Sequence, residues 1–295
     1  MNKGILFAIG AYSLWGFLPI YWKTIDEVPA TQILSHRIIW SFIFLLGIIF
    51  IKKDLGAFRF AIRSKKTLAI FSGAALLISV NWLIYIWAVN AGFIVETSLG
   101  YFINPLVSVL LGVIFLKEKL RPMQWIPVGL AAAGVLYLTF SFGVLPWIAL
   151  VLASTFGLYG LIKKTASLNS LHGLSLETGI LFLPAAGFLL FAEGQGSGSL
   201  GHLGWRTDLL LILTGVVTAL PLLLFATAAR RINLSTLGIL QYIAPSTQFL
   251  IGVFLYGEPL TTSRLVGFAF IWAALIIYSL ENIFERRKGP ITLLA

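Results

Sequence analysis

Apolar residues along this chain come in long runs with at most one charge, each near the roughly 20 residues that a helix needs to cross a hydrocarbon core. Ten such runs, bounded by Lys, Arg or turn residues, fall at 4–22, 32–51, 67–90, 97–116, 123–140, 145–162, 174–192, 209–229, 235–256 and 265–282. They predict ten transmembrane helices and an all-α integral membrane protein. The run after Lys3 stays uncharged as far as Trp22, longer than a signal-peptide core, and no convincing small-residue cleavage site precedes Lys23. It therefore counts as the first span. Only two connections are long, the basic segment 52–66 and the Gly/Ser-rich segment 193–208, and neither could form a domain.

Composition agrees with this pattern. The 295 residues are 59% hydrophobic and only 11% charged, with a mean hydropathy of +0.95, whereas a soluble domain is about a quarter charged. The formal charge of +10 would point to nucleic acid in a soluble protein, but the basic residues sit between the apolar runs. With the N-terminus inside, 17 of the 21 Lys and Arg fall on the inner side, and only Lys23, Arg37, Arg206 and Arg264 fall on or near the outer side. This asymmetry predicts that both termini are cytoplasmic and accounts for the charge without a nucleic-acid partner. The absence of cysteine excludes disulfides, thiolate metal sites and cysteine nucleophiles, and three scattered histidines offer no metal cluster.

The two halves of the chain are related. Asn104-Pro-Leu-Val-Ser-Val-Leu-Leu-Gly-Val-Ile-Phe-Leu-Lys-Glu118-Lys-Leu aligns with Ala244-Pro-Ser-Thr-Gln-Phe-Leu-Ile-Gly-Val-Phe-Leu-Tyr-Gly-Glu258-Pro-Leu at a constant offset of 140. Pro, Gly and Glu coincide together, which chance similarity between apolar runs does not usually produce. Ser13-Leu-Trp-Gly16 matches Ser154-Thr-Phe-Gly157 more weakly, at an offset of 141. The repeats are 1–141 (spans 1–5) and 142–295 (spans 6–10). Five spans is an odd number, so the second repeat enters the membrane from the opposite side. Such inverted repeats are the architecture of many secondary carriers, in which two near-equivalent packings alternate around a midplane site.

On these residues the chain resembles the drug/metabolite transporter superfamily, in its EamA group of paired five-helix repeats. The blocks Asn81-Trp-Leu-Ile-Tyr-Ile-Trp-Ala-Val-Asn90 and Glu96-Thr-Ser-Leu-Gly-Tyr-Phe-Ile-Asn-Pro105 are similar to its RarD-like subgroup, named for chloramphenicol sensitivity. The resemblance spans nearly the whole chain. It implies a bacterial inner-membrane permease with a central cavity lined mainly by spans 1, 3, 4, 6, 8 and 9. It leaves the substrate open, because the superfamily moves amino acids, sugars, nucleotide precursors and drugs.

Polar groups are costly in hydrocarbon, so their spacing marks the face turned to the bundle interior or a wet cavity. In span 4, Thr97, Tyr101, Asn104, Ser108 and Gly112 recur every three or four residues. Span 9 matches with Gln241, Gln248 and Gly252. Asn81 and Tyr85 share a face of span 3, Tyr12 and Trp15 begin a stripe that continues to Pro19 and Trp22, and Thr214, Thr218 and Pro221 do the same in span 8. The candidate cavity residues are thus Tyr12, Trp15, Asn81, Tyr85, Tyr101, Asn104, Ser108, Thr218, Gln241 and Gln248. Belt anchoring also accounts for Trp22 and Trp147, and close helix packing for Gly16, Gly112 and Gly252. Pro105 and Pro245 each free a carbonyl near mid-membrane, either for a solute or ion or for a neighbouring side chain.

Three embedded ionisable residues are candidates for charge recognition or coupling. Arg37 lies roughly 9 Å inside the second span; it either meets a substrate carboxylate, pairs with Glu96 or snorkels to the interface. His36 beside it is a proton-linked candidate or an ordinary interfacial histidine. Glu177, about one turn into the seventh span, either carries a coupling proton or is stabilised by the helix dipole. Glu118 and Glu258, at matching hairpin ends, read as structural charges that pair locally or cap a neighbouring helix.

The pattern favours a secondary transporter that moves a small organic solute or drug by alternating access, without a cofactor. The alternatives are a membrane-embedded enzyme, for which no HExxH, GxSxG, Walker or GxGD motif is present, and a lipid-translocating or structural protein. A permanent pore fits less well, since no charged ring or carbonyl filter appears. The partners expected are the lipid bilayer and a small-molecule substrate; oligomeric state is left open.

Overall fold

The computed structural model describes residues 3–56, 63–90, 94–142, 147–257 and 262–287. Its helices are α1 (Lys3–Trp22), α2 (Ala30–Ile51), α3 (Lys65–Asn90), α4 (Ile94–Phe115), α5 (Trp125–Phe142), α6 (Trp147–Thr165), α7 (Ser170–Gly194), α8 (Trp205–Ala229), α9 (Leu234–Gln241), α10 (Ile243–Tyr256) and α11 (Thr262–Arg287). No strand occurs among the described residues. The side chains of Glu96 and Thr97, and all of Glu258, lie outside the described residues.

Among the described residues, the ten expected spans appear as eleven helices because the ninth is divided at Tyr242. Pro245 has no N–H to give the Gln241 carbonyl, and its ring crowds that oxygen. The Tyr242 N–H turns to the nearer Ile239 carbonyl at 3.3 Å, and the helix resumes with Ser246 N–H donating to the Tyr242 carbonyl at 3.1 Å. α4 passes through the matching Pro105 without a break. Helix α7 starts four residues before its apolar run, because the Asn169 side chain accepts from the His172 N–H at 2.9 Å and caps it.

Seven helical segments, among the described residues, are long and apolar enough to cross a membrane; α4 and α11 contribute the shorter apolar stretches Gly100–Phe115 and Leu265–Glu281. Large apolar side chains such as Phe50, Ile51, Phe140, Leu183 and Phe254 stand 70–81% exposed on the outer faces. A soluble monomer rarely presents such a belt, whereas lipid chains cover it without cost.

Packing repeats across the two halves with the partners exchanged. α1 packs on α8 and on the α9–α10 pair, and its counterpart α6 packs on α3 and α4; α2 meets α7, and α5 meets α11. Residues one repeat length apart touch each other: Trp15 and Phe156 at 5.7 Å between ring centroids, Phe42 and Phe182 at 5.4 Å, and the Tyr242 hydroxyl donating to the Phe102 backbone carbonyl at 3.1 Å. Contacts between equivalent positions are what an approximate two-fold axis through the molecule produces. Close approach follows the same rule. A methyl group on Gly16 would lie 2.6 Å from Thr247 Cβ, and one on Gly157 would lie 2.7 Å from Val107 Cγ1, with both glycines and both contacts related by the repeat.

Candidate functional site

A cavity of about 150 Å³ sits where the two repeats meet, room comparable to a void that takes up benzene. α1 supplies Tyr12, Trp15, Leu18, Pro19 and Trp22 to its wall; α2 supplies Arg37, and α3 supplies Asn81, Trp82 and Tyr85. The wall is completed by Gly100, Tyr101 and Asn104 of α4, Leu152 and Phe156 of α6, Leu222 of α8, Gln241 of α9, and Ala244, Pro245 and Gln248 of α10. Equivalent positions of the two repeats, among them Trp15 with Phe156, Tyr101 with Gln241 and Asn104 with Ala244, line the same space.

The polar groups of this wall are held by the helices' own irregularities. Pro19 cannot donate to the Trp15 carbonyl, and Gln248 Nε2 from the other repeat donates to that oxygen at 3.0 Å. Asn81 Nδ2 donates to the Leu152 carbonyl at 2.8 Å and to Thr155 Oγ1 at 2.9 Å, which ties α3 to α6. The Tyr85 and Tyr101 hydroxyls share a hydrogen bond, and their rings meet edge to face at 5.8 Å. Beneath them Tyr12, Trp15, Phe156 and Phe225 form a cluster with centroid spacings of 5.3–6.3 Å. Among the described residues, two buried polar atoms of this wall have no hydrogen-bond partner: Asn104 Oδ1 and the Tyr12 hydroxyl.

Among the described residues, Arg37 is the one charged side chain in the wall. Its guanidinium lies between two indoles, 4.9 Å from the Trp22 ring centroid and 4.6 Å from that of Trp82, and its Nε donates to Thr218 Oγ1 at 2.9 Å. It therefore turns into the bundle rather than snorkelling outward. Stacking on two aromatic faces offsets part of the cost of a desolvated cation.

Eight of the ten cavity residues expected from helical spacing share this wall; Ser108 and Thr218 do not. Ser108 is buried where α4 crosses α9, close against Gly238. Thr218 lies behind Arg37 and fixes its orientation. His36 is buried away from the cavity, with Nδ1 unpaired. Glu177 is also away from it, and its surroundings differ from the expectation: with α7 starting at Ser170, it lies about two turns in, beyond reach of the helix-terminal charges. Its carboxylate instead accepts from Lys163 Nζ at 2.7 Å and from the Tyr159 hydroxyl at 3.0 Å. Lys163, counted above as a connection charge, is 3% exposed inside α6. Trp82 and Phe156 were missed. Trp82 is one residue out of phase with the Asn81 face, while Phe156 was legible as the repeat counterpart of Trp15.

A second polar constellation lies at the helix ends. The Glu118 carboxylate, in the hairpin after α4, accepts from Leu234 N–H at 2.6 Å, Ser235 N–H at 2.9 Å and Ser235 Oγ at 2.7 Å, and Lys164 Nζ lies 3.9 Å away. A side chain of the first repeat thus caps α9 of the second. Among the described residues, no group of three His, Asp or Glu side chains is placed to hold a metal ion.

Comparison with known proteins gives a consistent picture. The family model of the EamA-like transporter family matches residues 2–140 and again 145–280. The uncharacterized transporter YojE of Bacillus subtilis is 48% identical over 293 residues, covering 98% of this chain and 97% of its own. Protein RarD of Escherichia coli is 45% identical over 288 residues, covering 97% of each chain. The chloramphenicol-sensitive protein RarD of Pseudomonas aeruginosa is 30% identical over 291 residues, again covering 97% of each. One crystal structure superimposes with a TM-score of 0.71 over 94% of this chain and 97% of that one, at 17% identity, which speaks for the fold alone. The names of the family and of YojE are those of transporters.

Proposed function

The chain belongs to the EamA-like transporter family, and from that premise we propose that it is a secondary carrier moving a small organic solute across the bacterial inner membrane by alternating access. The observation that carries this reading is the cavity to which equivalent positions of both repeats contribute, Tyr101 with Gln241 and Asn104 with Ala244. Related helices of opposite orientation around one space allow the same contacts to be rebuilt with the opening on the other side. The excess of basic residues in alternate connections supports cytoplasmic termini.

The chain has no cysteine, which permits a test that needs no knowledge of the solute. In sealed vesicles of known orientation, a single cysteine at Ala244 is expected to react with a membrane-impermeant maleimide added from either face. A matching cysteine at the lipid-facing Leu110, which is 54% exposed, is expected to stay unlabelled. Labelling of Ala244→Cys from one face only would overturn the carrier reading.

A further inference from the structure

Among the described residues, the cavity wall carries one positive charge and no negative one. Arg37 reaches it with Nε committed to Thr218, and among the described residues no carboxylate pairs with the guanidinium. Four N–H donors at its two terminal nitrogens remain, arranged to meet a planar carboxylate with two parallel bonds. An ionised side chain within a span is retained where it meets a partner or a pathway. Glu177, another deeply embedded charge, is already satisfied by Lys163 and Tyr159 and does not reach the cavity.

The wall's second demand is for a hydrogen-bond donor. Asn104 is 4% exposed and lines the cavity, and its Oδ1, which can only accept, has no partner; the Tyr12 hydroxyl, also without a partner, can donate as well as accept. A buried acceptor left empty costs free energy that a ligand O–H or N–H would recover. Between these polar points the wall is Trp15, Phe156, Leu152 and Leu222, which suits a ring or a branched apolar body.

Building on the carrier reading above, we infer that this cavity takes a small monoanionic carboxylate with an apolar ring and one neutral hydroxyl or amide donor. Arg37 binds the carboxylate and Asn104 accepts from the donor. A free ammonium group would find no anion in the wall and would lie in the field of Arg37, so a zwitterionic amino acid with the same skeleton is disfavoured. An uncharged or cationic solute would leave the guanidinium desolvated and unpaired.

Four probes that share one ring and a short chain separate these terms: 3-phenyllactate, 3-phenylpropionate, phenylalanine and phenethylamine. Binding of each is measured with the full-length protein in detergent, by calorimetry or ligand-dependent melting. 3-Phenyllactate is expected to bind about tenfold tighter than 3-phenylpropionate, the worth of one buried hydrogen bond, and tighter still than phenylalanine or phenethylamine. Arg37→Gln is expected to abolish the preference for anions, and Arg37→Lys to keep part of it. Asn104→Leu acts independently of the charge: it is expected to bring 3-phenyllactate and 3-phenylpropionate to equal affinity while anions remain preferred over phenethylamine.

Equal or tighter binding of phenylalanine or phenethylamine overturns the inference, as do preferences that survive both Arg37→Gln and Asn104→Leu. Failure of all four probes at millimolar concentration also overturns it. In each of these cases the carrier reading is judged separately, by the two-sided labelling of Ala244→Cys, which uses no solute.

Discussion

Glu118 joins the two repeats through the N-terminus of a helix, and its removal should be felt across the whole bundle. Its carboxylate is 7% exposed and accepts three hydrogen bonds, two from the first backbone N–H groups of α9, with Lys164 at 3.9 Å. Those N–H groups have no carbonyl within the helix to pair with. Loss of a capping side chain costs about 1 kcal/mol, hydrogen bonds to a charged acceptor about 1.5–3 kcal/mol, and the favourable dipole interaction up to about 1 kcal/mol. These contributions overlap, so the expected total for Glu118→Ala is about 3 kcal/mol. At roughly 2 °C per kcal/mol for a chain of this size, the apparent melting temperature in detergent should fall by about 6 °C. Glu118→Gln keeps an acceptor oxygen and loses the charge, so about half that fall is expected. Melting curves are compared at one scan rate, since unfolding of such proteins is rarely reversible. Gly112→Ala supplies a cross-check. Its new methyl would lie 2.7 Å from Glu118 Oε2 and 2.8 Å from Ser235 Oγ, so its cost should shrink in the Glu118→Ala background. Melting within about 1 °C of the parent protein for both Glu118 variants would refute the reasoning.

Other consequences are equally direct. Lys163→Met leaves Glu177 as an unpaired buried carboxylate and should cost about 3–5 kcal/mol; adding Glu177→Leu should restore most of it, and a double variant no more stable than Lys163→Met would argue against a purely paired role. Gln32 clamps the connection between α7 and α8, with Nε2 donating to the Ser197 carbonyl at 2.6 Å and Oε1 accepting from the Ser199 N–H at 2.9 Å. Gln32→Ala should therefore raise the rate of limited proteolysis within 195–204 by about tenfold, as a local opening cost of about 1.4 kcal/mol is removed. For orientation, a cysteine at Ser197 should react with an impermeant reagent from the periplasmic side and one at Lys53 from the cytoplasmic side; the reverse result would invert the proposed topology.

Most of the fold was legible because a bilayer imposes one length scale and one polarity rule on every span. The errors lie where other physics takes over. The apolar run begins at Leu174, yet the Asn169 cap starts the helix four residues earlier, at Ser170. Pro245 was read as freeing a carbonyl; that it also divides the ninth span at Tyr242, whereas Pro105 leaves α4 whole, depends on packing that the two similar sequences do not display. Helical spacing found the interior faces of α1, α3 and α4 but not which interior was empty. Ser108 faces inward and meets Gly238, and Thr218 faces inward and meets Arg37. The pairing of Lys163 with Glu177 was hidden because Lys163 lies next to Lys164, which made both look like connection charges.

The symmetry of the frame and the asymmetry of its lining do different work. Trp15 with Phe156, Phe42 with Phe182 and Phe102 with Tyr242 place equivalent residues against each other, so exchanging the roles of the repeats rebuilds similar contacts at similar energy. That near-degeneracy is what an alternating carrier requires, since a ligand shifts a conformational equilibrium only by its difference in affinity for the two states. The lining follows no such rule. Arg37 and Glu177 stand one repeat length apart, two embedded charges of opposite sign, but Arg37 opens into the cavity while Glu177 is neutralised behind it by Lys163. Had both been paired, the cavity would be an aromatic pocket with little basis for choosing among solutes. Had both been free in the same space, they would have paired with each other and closed it. Satisfying one charge within a repeat and leaving the other at the shared wall gives a symmetric machine a single polar end, and with it a preferred sign and orientation for whatever it carries.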